Sequence, residues 1–276
     1  SLMQNTSEWD WRAGKRQVAD ISQWKEKFGW VEELCASPDG EKVAAVVKTG
    51  EMEYSASVNG DPWEESFDKV YNLGFGPDGR LSGIVSSAGE WTVAVDGAAW
   101  EDTYGFVWNI LRSADGSNIA AAIQADGMYM AAINGKGWEN TYGDLTDLAI
   151  SPDGSKSAAV IPLIALKEGD IFGFMKGNYT VSVDGTPWEG KFMNVWTPVF
   201  SADGKRVTAQ VRLSRYEYTI AVDGKSWNKI FPMVWEPVFN PQSGEVLAPV
   251  KTPDGWNLAV DGKPYWNRAF GQLFKA

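Results

Sequence analysis

The stretch Trp91-Thr92-Val93-Ala94-Val95-Asp96-Gly97-Ala98-Ala99-Trp100-Glu101-Asp102-Thr103-Tyr104 holds the two signals that organise the whole chain. An Asp-Gly pair closes an alternating apolar strand, and a tryptophan three residues on is followed by an aromatic four further along. Asp-Gly and Asn-Gly between apolar strands favour tight hairpins, because both central residues tolerate positive φ. The same pair recurs at Asn59-Gly60, Asn134-Gly135, Asp184-Gly185, Asp223-Gly224 and Asp261-Gly262.

The tryptophan signal recurs as Trp24/Phe28, Trp63/Phe67, Trp100/Tyr104, Trp138/Tyr142, Trp188/Phe192, Trp227/Phe231 and Trp266/Phe270. Successive tryptophans are 39, 37, 38, 50, 39 and 39 residues apart. A period near 40 is the signature of an array whose unit is a four-stranded propeller blade.

A second turn stands in every unit: Ser37-Pro38-Asp39-Gly40, Gly76-Pro77-Asp78-Gly79, Ser113-Ala114-Asp115-Gly116, Ser151-Pro152-Asp153-Gly154, Ser201-Ala202-Asp203-Gly204 and Asn240-Pro241-Gln242-Ser243-Gly244. Pro presets the turn, Asp binds its own backbone and Gly supplies positive φ. The unit from Trp63 to Trp100 therefore reads as an inner strand over Val70 to Phe75, a second near Leu81 to Ser86, a third from Trp91 to Val95 and a fourth starting at Trp100. Seven Trp-x-x-x-aromatic units predict seven outer strands and a seven-bladed propeller, six blades being the alternative. The seventh blade would be split between the termini, Phe274 closing its inner strand, and Gly14 to Val18 with Trp9 to Arg12 supplying the others.

One domain over residues 1–276 follows from that repeat. Ser1-Leu2 read as a cloning remnant, Met3 as the native start, and 161–178 as an inserted hairpin loop. The net charge of -11 disfavours nucleic acid and anionic lipid surfaces. The longest apolar run, near Ala158 to Leu166, is about half the roughly 18 residues of a membrane span and contains Pro162. With a polar, acidic start where a signal peptide would be basic and then apolar, the expected location is the cytoplasm.

Catalytic chemistry finds little material. The chain has no histidine, hence no imidazole base or metal ligand, and Cys35 is its single cysteine. No Gly-x-Ser-x-Gly elbow stands in a strand-turn-helix context. Each Asp-rich turn offers one carboxylate where calcium takes six to eight oxygens. Glu32-Glu33 and Glu64-Glu65 would serve glycoside chemistry only across a cleft, and neighbours in a strand face opposite sides. No enzyme, metal or cofactor is expected.

Two features carry the functional reading. The interval of 50 residues contains an insertion whose Ile171, Phe172, Phe174 and Met175 are apolar where a hairpin tip is ordinarily polar. The equivalent hairpin of the next unit bears Arg212, Arg215, Tyr216 and Tyr218, residue types enriched at interfaces. Together they form a candidate partner-binding surface. Tyr71, Trp108, Trp196 and Trp235, eight residues after their repeat tryptophans, are candidate channel-lining aromatics for a flat ligand or peptide.

The run Val195-Trp196-Thr197-Pro198-Val199-Phe200-Ser201-Ala202-Asp203-Gly204 resembles strands of the TolB-like and WD-repeat-like propeller superfamily. The recurrent Val-Asp-Gly-x-x-Trp-Glu pattern, with Glu8-Trp9-Asp10-Trp11 and Gln23-Trp24-Lys25-Glu26-Lys27-Phe28, resembles the TmcD family, the tryptophan-rich subunit of the Tmc transmembrane redox complex of sulfate-reducing bacteria. That resemblance implies a non-catalytic cytoplasmic accessory subunit, peripheral at the inner membrane through its partners. Those partners would be a cytochrome b, an iron-sulfur protein and a multihaem cytochrome. It carries over no catalytic motif, so no residue inherits a role.

Overall fold

The computed structural model describes residue 15 and residues 17–164 and 170–273. Among these residues the chain forms six four-stranded antiparallel sheets, each built from four strands consecutive in sequence, and two short helices. It divides into two compact units, Ser1–Asp126 with Ile133–Lys136, and Gly127–Ala132 with Gly137–Ala276.

The second sheet shows the plan: Lys69–Phe75, Leu81–Ser87, Glu90–Val95 and the two-residue strand Ala98–Ala99. The two turn motifs of a sheet are tied to each other. Asp96 Oδ1 accepts the N–H of Leu81, so the Asp-Gly turn closes the start of the second strand as well as the end of the third. The same bond joins Val43 to Asn59, Ile119 to Asn134, Ser157 to Asp184, Val207 to Asp223 and Val246 to Asp261, at 2.8–3.0 Å. Asp96 and Gly97 both have positive φ (48° and 89°), the conformation expected of a primed hairpin turn.

In the other turn, Ser113 Oγ donates to Asp115 Oδ1 at 2.6 Å and accepts the N–H of Asn118 at 3.0 Å. Ser37, Ser151 and Ser201 repeat this arrangement with Asp39, Asp153 and Asp203. The serine hydroxyl holds the Asp115 carboxyl down at about 2. These aspartates are turn caps whose oxygens are already engaged.

The tryptophan period has a structural cause. The side chains of Trp63, Trp100, Trp138, Trp188 and Trp227 each lie on the glycine of the next sheet's Asn/Asp-Gly turn, at Gly97, Gly135, Gly185, Gly224 and Gly262. A Cβ at those glycines would stand 3.0–3.3 Å from the tryptophan, tight enough that the indole would have to shift by a few tenths of an ångström. Gly97 is thus favoured twice over, by φ and by the indole.

Among the described residues there are six outer strands, not seven. Trp24 belongs to α1 (Ile21–Phe28), capped by Asp20, whose side chain accepts the Ser22 N–H, and ended by Gly29 at φ 70°. From that helix it meets Gly60 of the first sheet, as the other tryptophans meet their glycines. The tryptophan thus reaches the glycine of an Asn/Asp-Gly turn from a helix as well as from a sheet edge, so the motif marks a packing position, not a strand. Among the described residues there are six sheets, and Gln17 to Asp20 form no strand. Trp9 to Arg12, Gly14, Arg16 and Phe274 lie outside the described residues.

The outer strand is also displaced from its expected place. It spans the two residues before Trp63, Trp100, Trp138, Trp188 and Trp227, and before Tyr265 in the sixth sheet. The N–H of that residue donates to the third strand, as Trp100 does to Val93 O, and the chain meets the third strand again where the following aromatic bridges it, as Tyr104 does with Trp91. That aromatic is the deeper residue: Phe231, Phe192 and Phe67 are buried, whereas Trp227, Trp188 and Trp63 are half-buried. Where it is Tyr104 or Tyr142, its hydroxyl donates to the carbonyl of Gly135 or Gly185.

Second strands are runs of small apolar residues, such as Ala44-Ala45-Val46-Val47 and Ala120-Ala121-Ala122-Ile123, and they are fully buried. In the first sheet Ala44 and Val46 face the second sheet, while Ala45 and Val47 pack on Trp24 of α1. In the second unit one core joins the fourth and fifth sheets through Val160, Val181, Phe192, Val195, Val207 and Val211. Another surrounds Phe231, Ile220, Val246 and Val250.

Candidate functional site

The first strands of the sheets are irregular in mid-strand. The register between first and second strands slips at Glu32/Cys35, Tyr71/Gly74, Thr146/Ala149 and Trp196/Val199. Glu33, Asn72, Asp147 and Thr197 at these bulges have φ of 49–57°. Asparagine and aspartate tolerate that region, but Thr197 is β-branched and precedes Pro198, both of which oppose it. Bulges re-aim side chains and gather at functional sites.

The two bulges of the second unit lie side by side. Asp147 Oδ2 accepts the N–H of Thr197 at 3.2 Å, joining the fourth and fifth sheets. Beside them a cavity of about 300 Å³ is bounded by Asp144, Asp147, Pro162, Tyr179, Asn194 and Trp196. Asp144 Oδ1 accepts the N–H of Leu145 at 2.8 Å. Among the described residues neither Asp144 nor Asp147 has a basic partner within ion-pair distance.

Both aromatic walls are buttressed from hairpin tips. Trp196 stacks on Tyr218 (6.4 Å, 25°), and Arg212 lies over that tyrosine at 5.6 Å while donating to the carbonyls of Ser214 and Arg215. Tyr179 takes the edge of Phe174 at 6.5 Å and 75°. Phe174 sits on α2 (Ile171–Met175), a single turn inside the insertion whose N-terminus is held by Asp170 Oδ1 accepting the Gly173 N–H. The base of the insertion is closed by buried Asn178, whose side chain donates to Ile164 O and accepts the Ile164 N–H.

The predicted partner-binding residues therefore divide. Ile171 and Met175 are 64% and 54% exposed, and Tyr216 is 70% exposed beneath the Arg215 guanidinium. Phe174 and Arg212 support aromatics instead, and the Phe172 side chain lies outside the described residues. Of the predicted channel aromatics, Trp196 lines the cavity. Tyr71 donates to Val107 O and meets the edge of Trp91; Trp108 stacks on Phe106; Trp235 packs 4.4 Å from Trp256.

Sequence reasoning missed Asp144, Asp147, Tyr179 and Asn194. Tyr179 was hidden by its structural role, since it bridges Phe192 as Tyr54 bridges Phe67. A signal for Asp147 did exist: the residue following the inner aromatic position is polar in every unit, as Glu33, Asn72, Asn109, Asp147, Thr197 and Glu236.

A second cavity of about 460 Å³ surrounds Trp266, with Lys229, Arg268, Asn257 and Asp254 on its walls. Trp266 packs on Phe270 at 5.3 Å, and both cations lie over phenyl rings, Lys229 on Phe231 and Arg268 on Phe270. Cys35 is half-buried, and that burial pushes its thiol up, away from nucleophilic use. Among the described residues no three His, Cys, Asp or Glu side chains are gathered to hold a metal. Nor is any helix among them long and apolar enough to cross a membrane.

No family model matches the chain, and no curated protein does. Solved structures similar to it include propeller proteins. TolB from Acinetobacter baumannii aligns at 18% identity and TM-score 0.33, covering 71% of this chain and 53% of TolB, so this chain spans about half of TolB's length. The β-propeller domain of the Trilobed protease from Pyrococcus furiosus aligns at 13% identity and TM-score 0.40, over 86% of this chain and 82% of that one. The Dos1 propeller aligns at 10% identity and TM-score 0.42, over 83% and 66%.

Proposed function

We propose that this chain is a non-catalytic protein-docking module of the β-propeller superfamily, engaging its partner through the hairpin tips of the fourth and fifth sheets. The observation that carries the reading is the exposure of Ile171, Met175 and Tyr216 at those tips. Large apolar side chains held out to water by ordered elements, beside an arginine, have the composition of an interface. Sheets tied by turn bonds and tryptophan contacts give such tips a rigid base.

The finer reading is an accessory subunit of a membrane-associated electron-transfer complex, working beside a cytochrome b, an iron-sulfur protein and a multihaem cytochrome from the cytoplasmic side. Its support is the Val-Asp-Gly-x-x-Trp-Glu repeat and its resemblance to the tryptophan-rich redox subunit. The test is co-purification of those subunits with the wild-type chain and with I171S/M175Q. Loss of the partners with an unchanged melting temperature is the expected result. Normal assembly and electron transfer in cells lacking the chain would overturn the redox assignment, and unchanged co-purification with the variant would overturn the surface.

A second reading, a propeller that binds a small molecule or peptide, is favoured by the cavity beside Trp196.

A further inference from the structure

We propose that the cavity between the fourth and fifth sheets binds an alkylammonium group, carried either by a free amine or by a lysine side chain. The volume of about 300 Å³ is at the small end of ligand cavities and suits a cation of a few heavy atoms. Its walls supply the two elements that recognise such a group. Trp196 and Tyr179 are the aromatic residues of its lining, and aromatic rings attract ammonium groups through their negative faces. Asp144 and Asp147 offer carboxylates with no basic partner among the described residues.

The arrangement is built rather than incidental. Tyr218 backs Trp196, and Phe174 backs Tyr179. The Asp147 carboxylate is fixed by the Thr197 N–H, and both residues are kept at positive φ. Arg212, the cation over Tyr218, has its guanidinium donating to Ser214 O and Arg215 O. Asp144 and Asp147 both lie exposed at the cavity in a chain of net charge -11, which favours a cation over a neutral or anionic ligand. Asn194 adds an amide able to accept an ammonium hydrogen.

The inference does not rest on the docking reading. Asp144, Asp147 and Trp196 belong to it, whereas Ile171, Met175 and Tyr216 belong to the docking surface.

The experiment titrates the full chain with butylammonium, tetramethylammonium, the peptide Gly-Lys-Gly and neutral 1-butanol, following tryptophan fluorescence and calorimetry. Saturable binding of the cations is expected, weakened by salt, with 1-butanol at least tenfold weaker. D144N/D147N keeps the acceptor for the Thr197 N–H and should weaken cation binding at least tenfold with its thermal midpoint retained. Should that pair fail to fold, D144N alone, at an exposed position, carries the same test at several-fold. I171S/M175Q should leave cation binding unchanged. Tighter binding of Gly-Lys-Gly than of butylammonium assigns the site to a peptide side chain, and the reverse to a free amine. Equal binding of 1-butanol and butylammonium, absence of saturable cation binding, or full affinity in the carboxamide variants overturns the proposal.

Discussion

The second and fourth sheets use the same hairpin between their second and third strands for opposite ends. In the second sheet it is closed by Ala88 and Gly89, both at positive φ, between Leu81–Ser87 and Glu90–Val95. In the fourth it opens after Pro162, forms α2 and returns at Tyr179, with Asn178 sealing its base. Strand register survives in both, Ser86 pairing with Trp91 and Pro162 with Tyr179. A sheet pinned by its other turns can carry a long excursion at one tip, because lengthening a loop costs little once its ends are fixed.

The contrast predicts that damage should scale with distance from the tips. The largest effect belongs to the closing aromatics: Phe231→Ala should cost about 3 to 5 kcal/mol in urea unfolding, since the ring is 2% exposed. Trp100→Ala removes a half-buried ring and should cost less, about 2 kcal/mol. Equal losses would mean that the tryptophan anchors the sheet edge as firmly as the residue four beyond. Gly97→Ala should cost about 1 to 3 kcal/mol in the same assay, from positive φ and from contact with Trp63. At the tip, I171S/M175Q should stay within about 0.5 kcal/mol of wild type while abolishing partner capture.

The smallest effect concerns the turn aspartates. The Asp115 pKa is depressed, to about 2 from an unfolded value near 3.9, so its stabilising contribution is fully present above the unfolded value. It is lost as pH falls through about 2. Ser113→Ala removes the main cause of the depression and should flatten the stability-pH curve between those values. An unaltered curve would show that the hydroxyl bond does not persist in solution.

Much of a sheet was legible because its turns are local chemistry. Asp96-Gly97 and Pro77-Asp78-Gly79 place their hairpins whatever surrounds them, and the strands between them fall within a residue or two of their reading. The outer strand was misplaced by two residues because Trp100 is conspicuous in sequence, while the strand itself is Ala98–Ala99, with the Trp100 N–H donating to Val93 O and Tyr104 bridging Trp91 beyond it. The cavity was half legible. Trp196 stood out as an extra aromatic, but Asp147 sits in a row of polar residues that differ from sheet to sheet. A carboxylate becomes part of a site only through what the next strand places opposite it.

By itself the sequence determined the all-β unit, its two turns and the position of the insertion, because each depends on residues within a few positions of one another. Tertiary structure gave six sheets among the described residues, with Trp24 filling its place against Gly60 from a helix. It also decided which aromatic faces a cavity and which is packed away. Tyr71 and Trp196 occupy equivalent positions, and only their neighbours, the carbonyl of Val107 for one and Asp147 with Tyr179 for the other, separate a packed ring from a wall of the site.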